Sequence, residues 1–68
     1  MDNKIYLTQR EQDIIVSIAE GLTNQEIGKK LYISVHTVKA HLEKIFEKTK
    51  SHNRVQLIVY AFKNNIIS

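Results

Sequence analysis

Apolar residues recur three and four positions apart in four successive segments of this 68-residue chain. Residues at that spacing share one face of a helix, so each segment is typical of an amphipathic helix. The sustained alternation of apolar and polar residues that indicates a strand is not found. The pattern predicts an all-α, four-helix domain. Its apolar faces include Ile14, Ile15, Ile18, Ala19, Leu22, Ile27, Leu31, Val38, Leu42, Ile45, Leu57, Ile58 and Ala61.

A side chain that can cap a helix precedes each of these segments. Thr8 and Thr23 each have a glutamate three positions later, which completes a capping box. Gly21 can end the first helix, because glycine adopts the left-handed conformation without strain. We therefore expect helices that begin after Thr8, Thr23, Ser34 and Asn53, with the third reaching Lys50 and the fourth running from Arg54 to about Asn64.

Glycine and tyrosine positions add two expectations about packing. Gly28 lies beside Ile27 in the second predicted helix, and its missing side chain should let another helix approach closely.

Tyr6, Tyr32 and Tyr60 are not interleaved with basic residues as base-stacking aromatics would be. We expect these three tyrosines to pack at the edge of the core.

Composition excludes several classes of site. The chain has no cysteine, so a disulfide, a thiolate zinc site and a cysteine nucleophile are impossible. A domain this small has little room for a deep active-site cavity. His36 and His41 lie five positions apart, which does not place them on one helix face, and no cluster of carboxylates joins them. We therefore expect no enzyme activity, no metal and no cofactor.

The chain also shows none of the apolar segments that direct proteins to membranes. No run approaches 18 apolar residues, and no segment near the N-terminus resembles a signal peptide. We expect a soluble, cytoplasmic protein without a membrane partner.

Charge is distributed unevenly along the chain, although the net charge is only +3. Residues 1–28 contain two basic and five acidic residues, whereas residues 29–68 contain eight basic and two acidic residues. A basic half on a small domain favours a polyanionic partner, most often nucleic acid. An ordinary solvated surface is the alternative explanation.

Residues 23–31 and 34–50 form two capped helical segments separated by a short turn, which is the spacing of a helix-turn-helix. In that motif the second helix enters the major groove of DNA, so its outer face must be polar and not too bulky. The outer face here offers Val35, His36, Lys39, Ala40, Glu43 and Lys44. A plain helical bundle can produce a similar helix pair.

Three stretches of the chain are similar to the motifs of a known family. Residues 7–11 resemble L-T-x-R-E, residues 21–28 resemble G-x-[ST]-N-x-E-I-[AG], and residues 31–41 resemble L-x-I-S-x-x-T-V-K-x-H. The chain thus resembles, over residues 7–67, the LuxR/GerE-type helix-turn-helix, the effector domain of many bacterial transcription regulators, including response regulators. The resemblance implies sequence-specific binding of double-stranded DNA by the third helix, with RNA polymerase as a further candidate partner.

The resemblance also implies a set of DNA contacts. Its base-reading positions fall on Lys39, Ala40 and Glu43. Several relatives carry a basic residue where this chain has Glu43, so the target site cannot simply be inherited, because an acid cannot donate to guanine. Its backbone-phosphate positions fall on Thr23, Asn24, Thr37, Lys44 and the basic region near Lys48–Arg54, in which Lys48 and Arg54 are the expected contacts. Apart from the resemblance, His36 is expected to be exposed and to reach a phosphate.

The fourth predicted helix has more apolar surface than one buried face requires. Leu57, Ile58 and Ala61 suffice to dock it on the core, yet a second apolar stripe runs along it. The C-terminal Ile66 and Ile67 could fold over this surplus. We favour a symmetric helix contact in a weak homodimer assembled on palindromic DNA, formed by Val55, Val59 and Phe62.

These observations lead to one domain, residues 7–68, preceded by residues 1–6 as a flexible tail or linker stub. The chain is either a complete small regulator or the effector end of a longer one. A sigma-factor region-four-like domain also begins with an L-T-x-R-E helix, but the fourth helix after Asn53-Arg54 argues against it. A helical protein-interaction module that uses the apolar fourth helix is the alternative from a different class.

Overall fold

The computed structural model describes residues 5–67, and this part of the chain contains four helices. They confirm the prediction of an all-α, four-helix domain. Residues 1–4 of the expected tail lie outside the described residues, while Ile5 packs against the core. No helix within residues 5–67 is long and apolar enough to cross a membrane. The helices are α1 (Gln9–Ala19), α2 (Asn24–Leu31), α3 (Val35–Thr49) and α4 (Arg54–Lys63).

Each helix begins at the predicted capping residue. The Thr8 hydroxyl oxygen accepts from the Glu11 backbone N–H at 3.1 Å, and the Thr8 N–H donates to Glu11 Oε1 at 2.9 Å. Thr23 and Glu26 form the same reciprocal pair at the start of α2. Ser34 accepts from the N–H three residues later, and Asn53 does the same. These contacts satisfy backbone donors that a helix N-terminus otherwise leaves unpaired.

One apolar core lies between the four helices. α1 packs against each of the other three, and α3 also packs against α2 and α4. The predicted faces are confirmed except at Ala19, the last residue of α1, which is exposed. Leu22, Leu31 and Ile58 lie half-buried at the core edge. The fully enclosed part of the core consists of Leu7, Ile14, Ile15, Ile18, Ile27, Val38, Leu42, Ile45, Leu57 and Ala61.

The connection between α2 and α3 is built around Gly28. The Gly28 carbonyl accepts from the backbone N–H groups of Tyr32 and Ile33. A Cβ atom at Gly28 would lie 2.7 Å from the carbonyl oxygen of Ile33. The close approach predicted at Gly28 therefore exists. Its nearest partner is the backbone of the turn, and the backbone nitrogen of Val35, at the start of α3, would lie 3.6 Å from the same Cβ atom. Any side chain at this position would push α3 away from α2.

The expectation that the tyrosines pack at the core edge is wrong for Tyr32 and Tyr6. Tyr32 ends α2 in the left-handed conformation, with φ 60° and ψ 41°, and its side chain is 93% exposed. This conformation reverses the chain after α2 and directs the side chain into solvent. Tyr6 is 76% exposed, although its ring lies 5.9 Å from the Lys48 ammonium group.

A partly buried ion pair joins the start of α1 to the last turns of α3. Lys48 Nζ lies 2.8 Å from Glu11 Oε1 and donates a second bond to the Tyr6 carbonyl at 3.1 Å. Burial opposes ionisation of Glu11, but the hydrogen bonds from Lys48 and Thr8 and the charge of Lys48 outweigh it. The pKa of Glu11 therefore lies below its ordinary value of 4.5.

Replacing Lys48 should destabilise the domain in a pH-dependent manner. Lys48→Met leaves the buried Glu11 carboxylate without its counter-charge, so we expect the free energy of unfolding to fall by about 2 kcal/mol at pH 7. A carboxyl with a lowered folded pKa stabilises the fold above its unfolded pKa, and this contribution is lost as the pH falls through the folded value. The difference from wild type should therefore shrink below pH 4.5.

Urea unfolding at neutral and acidic pH measures the fall in the free energy of unfolding and its dependence on pH. Lys30→Met is the matched control, because Lys30 forms an exposed ion pair with Glu20 at 2.9 Å. Loss of this exposed pair should lower the free energy of unfolding by less than about 1 kcal/mol. Equal losses for Lys48→Met and Lys30→Met would show that the Glu11 pair does not stabilise the fold.

Candidate nucleic-acid interface

The outer face of α3 is polar and open to solvent. Val38, Leu42 and Ile45 point into the core, and the opposite side of the helix carries exposed residues throughout. Lys39 and Lys44 are five positions apart, so they lie about 140° apart around the helix and flank this face on opposite sides. Along its centre lie His36, Ala40, Glu43 and Glu47. Glu47 was not predicted to belong to this face. It lies four positions after Glu43, and residues at that spacing share one side of a helix.

The starts of α2 and α3 carry further exposed polar groups. Thr23 caps α2 through its hydroxyl oxygen, which leaves the hydroxyl hydrogen free to donate. At the start of α3, the Ser34 hydroxyl donates to Thr37 Oγ1 at 3.0 Å, and both residues are exposed. The first backbone N–H groups of a helix attract anions, because they lack intrahelical acceptors and lie at the positive end of the helix dipole.

A surface groove connects α3 with the starts of α2 and α4. It brings together four predicted DNA contacts from three helices, namely Asn24, Lys39, Glu43 and Arg54. His52 and Asn53, which belong to the predicted region near Lys48–Arg54, also line it. The apolar part of the lining comes from Leu42 and Phe46.

Within residues 5–67, the charged groups on the α3 face have no ion-pair partners. The ion pairs formed among residues 5–67 are Lys30–Glu20 and Lys48–Glu11. Lys39, Glu43 and Lys44 are therefore available to an external ligand. No group of three or more His, Asp or Glu side chains comes together within this part of the chain.

Two predicted phosphate contacts have internal partners. Lys48 Nζ is held by Glu11 and the Tyr6 carbonyl, so its charge is already paired. We therefore leave Lys48 out of the interface. Arg54 remains at the groove, but its Nη2 donates to Asn24 Oδ1, thirty residues earlier in the chain.

The second apolar stripe on α4 is exposed, as its spacing predicted. Val55, Val59 and Phe62 are 70%, 45% and 52% exposed, whereas Leu57 and Ala61 on the opposite face are buried. The C-terminal segment turns back through a bond from the Ile66 N–H to the Ala61 carbonyl at 2.8 Å. Ile66 and Ile67 then lie beside Ile58 and Phe62 along a cleft with α1, and the stripe stays accessible.

Sequence comparison relates this domain to bacterial regulators. Residues 6–61 match the family described as bacterial regulatory proteins, luxR family. The transcriptional regulatory protein LiaR of Bacillus subtilis is 45% identical over 62 residues, which are 91% of this chain and 29% of LiaR. The response regulator protein VraR of Staphylococcus aureus is 43% identical over 61 residues, which are 90% of this chain and 29% of VraR.

Solved structures have the same fold. The response regulator ChrA of a heme-sensing two-component system superposes with a TM-score of 0.89 at 35% identity, over 97% of this chain and 33% of ChrA. VqmA of Vibrio cholera, in a complex with ligand and DNA, gives 0.84 at 26% identity, over 97% of this chain and 29% of VqmA. The chain thus spans about a third or less of these relatives. With its four capped helices and its family match over residues 6–61, the chain belongs to the luxR family of bacterial regulatory proteins.

Proposed function

We propose that this domain binds double-stranded DNA in a sequence-specific manner, as the DNA-binding part of a bacterial transcription regulator and without catalytic activity. The observation that carries the proposal is the exposed, polar outer face of α3 within a helix-turn-helix. The family match supports it, as does the DNA present in the VqmA complex. Because bacterial DNA lies in the cytoplasm, the domain would act there. Contact with RNA polymerase stays a prediction.

We infer that α3 lies in the major groove and that bases are read by its central face together with Lys39 on one flank. The groove is about 12 Å wide and accepts one helix. Lys39 can donate to guanine, the Ala40 methyl group can contact a thymine methyl group, and Glu43 can accept from the cytosine amino group. All three side chains are exposed.

Phosphate contacts would surround this central face. Lys44 flanks α3 on the side opposite Lys39, and Thr37 is exposed in the first turn of the same helix. His36 lies at the N-terminal end of the outer face. Thr23 and Asn24 stand at the start of α2, the helix that crosses the DNA backbone in this motif. Such contacts set the orientation of the protein on the duplex, while base contacts set the sequence.

The first prediction concerns salt. Selection from random duplex DNA should enrich a defined sequence, and affinity for it should fall at least about tenfold between roughly 50 and 200 mM salt. The physical reason is that lysine side chains displace counterions condensed on the DNA. Fluorescence anisotropy measures the affinity. Absence of duplex binding at low salt, or an affinity independent of salt, would instead favour a protein-interaction module.

The second prediction separates base reading from phosphate contact within α3. Lys39→Ala should relax the preference at one base pair by about 1–3 kcal/mol. Lys44→Ala should weaken binding to all sequences alike and lower the slope of log affinity against log salt by about one. Selection from random duplex DNA measures the base preference of each variant, and salt titration measures the slope. If both variants lose affinity uniformly for every sequence, the assigned roles are incorrect.

We further propose that the exposed stripe of α4 forms a weak homodimer on DNA. Val55, Val59 and Phe62 lie on the face opposite Leu57 and Ala61, so they can meet a second copy without disturbing the core. One short stripe buries less area than a stable interface usually needs. Two adjacent half-sites would add the missing stability, because DNA holds the second copy at a high effective concentration.

The third prediction tests this contact through Val59→Asp. The variant places a charge opposite its own copy across a two-fold axis, so it should abolish cooperative binding to two adjacent half-sites. Binding to one half-site and the thermal midpoint should remain near wild-type values, because Val59 lies outside the enclosed core. Gel shifts with one-site and two-site duplexes measure this. Retained cooperativity would place the dimer contact elsewhere, and an unfolded variant would assign Val59 to the core.

A further inference from the structure

Asn24 and Arg54 form a side-chain contact between the first residues of α2 and α4. Arg54 Nη2 donates to Asn24 Oδ1, and both side chains are partly buried. The pair lies at the groove that also contains Lys39 and Glu43. It therefore adjoins the proposed DNA-binding face and links it to the helix that carries the exposed apolar stripe.

Local helix energetics do not explain why an arginine occupies position 54. It occupies the first position of α4, where the positive end of the helix dipole disfavours a cation. The N-terminus of α4 is capped by Asn53, whose Oδ1 accepts from the Gln56 N–H at 2.9 Å. The partner that accounts for the position of the guanidinium group is Asn24.

The chemistry of the pair sets the orientation of the Asn24 amide. A guanidinium group has N–H donors and no acceptor, so Asn24 must present its oxygen to Arg54. Rotation of the amide by half a turn would place two donors against each other. Both N–H groups of Asn24 Nδ2 are consequently left to donate to another acceptor.

We propose that Arg54 is a positioning residue that holds the Asn24 amide with its N–H groups free to donate to a DNA phosphate. A phosphate oxygen fits this place, because the start of α2 offers backbone N–H groups and the positive end of the helix dipole beside the amide. The inference rests on the proposed function and deepens it. It assigns Arg54 an action through Asn24 and not a phosphate contact of its own.

A double-mutant cycle on duplex affinity tests the proposal. Asn24→Ala and Arg54→Met should each weaken binding by about tenfold, the value of a hydrogen bond to a charged group. The double variant should bind no more weakly than the weaker single variant, because both changes remove the same contact. Arg54→Met should also leave the salt slope unchanged. Lys63→Met is the control, since it removes an exposed charge at the other end of α4.

Asn24→Asp tests whether pairing with Arg54 is by itself enough for DNA binding. The carboxylate still accepts from Arg54, so the thermal midpoint should not fall, but it has no N–H group to donate. Duplex affinity should therefore drop at least as much as for Asn24→Ala. This variant also decides the matter if Arg54→Met fails to fold.

Three outcomes would overturn the inference. Losses that multiply in the double variant, together with a salt slope lowered by about one, would show that Arg54 itself contacts a phosphate. Wild-type affinity in Asn24→Asp would show that the amide donates nothing to DNA. In both cases wild-type duplex binding leaves the proposed function intact, whereas absence of that binding would refute the function and this inference together.

Discussion

The position of the proposed recognition helix depends on the close contact between Gly28 and the backbone of the α2–α3 turn. The Ile33 carbonyl oxygen occupies space that any side chain at Gly28 would need. The Gly28 carbonyl in turn accepts the two N–H groups that close the turn. Without this contact α3 could not begin directly after α2, and the polar face of α3 would have no defined direction.

Two polar contacts between distant residues complete the arrangement that this turn begins. Lys48 joins the last turns of α3 to Glu11 at the start of α1, while Arg54 joins the start of α4 to Asn24 at the start of α2. A domain of this size has a small core, so such contacts make a large relative contribution to order. Each uses a side chain long enough to span two helices. Together with the turn, they attach α3 near both ends and α4 at its start.

Because the core is small, α3 and α4 each bury one face and leave the other exposed. α3 buries one face and presents polar and charged groups on the other, as a major-groove helix requires. α4 buries Leu57 and Ala61 and exposes an apolar stripe, which suits contact with protein. Under the two proposals, one fold would separate contact with DNA from contact with a second copy.

Much of this structure was decided by interactions between residues three or four positions apart. The caps at Thr8, Thr23, Ser34 and Asn53 and the apolar faces of the helices are local in sequence, so composition and spacing were enough to predict them. The outward residues of α3 followed from the same periodicity. The family motifs then indicated what those residues contact.

Only the tertiary structure decided where the long polar side chains go. Lys48 and Arg54 both belong to the basic half of the chain, and sequence reasoning assigned both to phosphates. Their partners lie 37 and 30 residues away, so the pairing exists only once the helices have packed. The same holds for Gly28, whose close neighbour is the turn backbone, because that distance depends on how the chain reverses after α2. Local spacing determines which face a residue occupies, whereas the group that it meets there depends on the packing of distant elements.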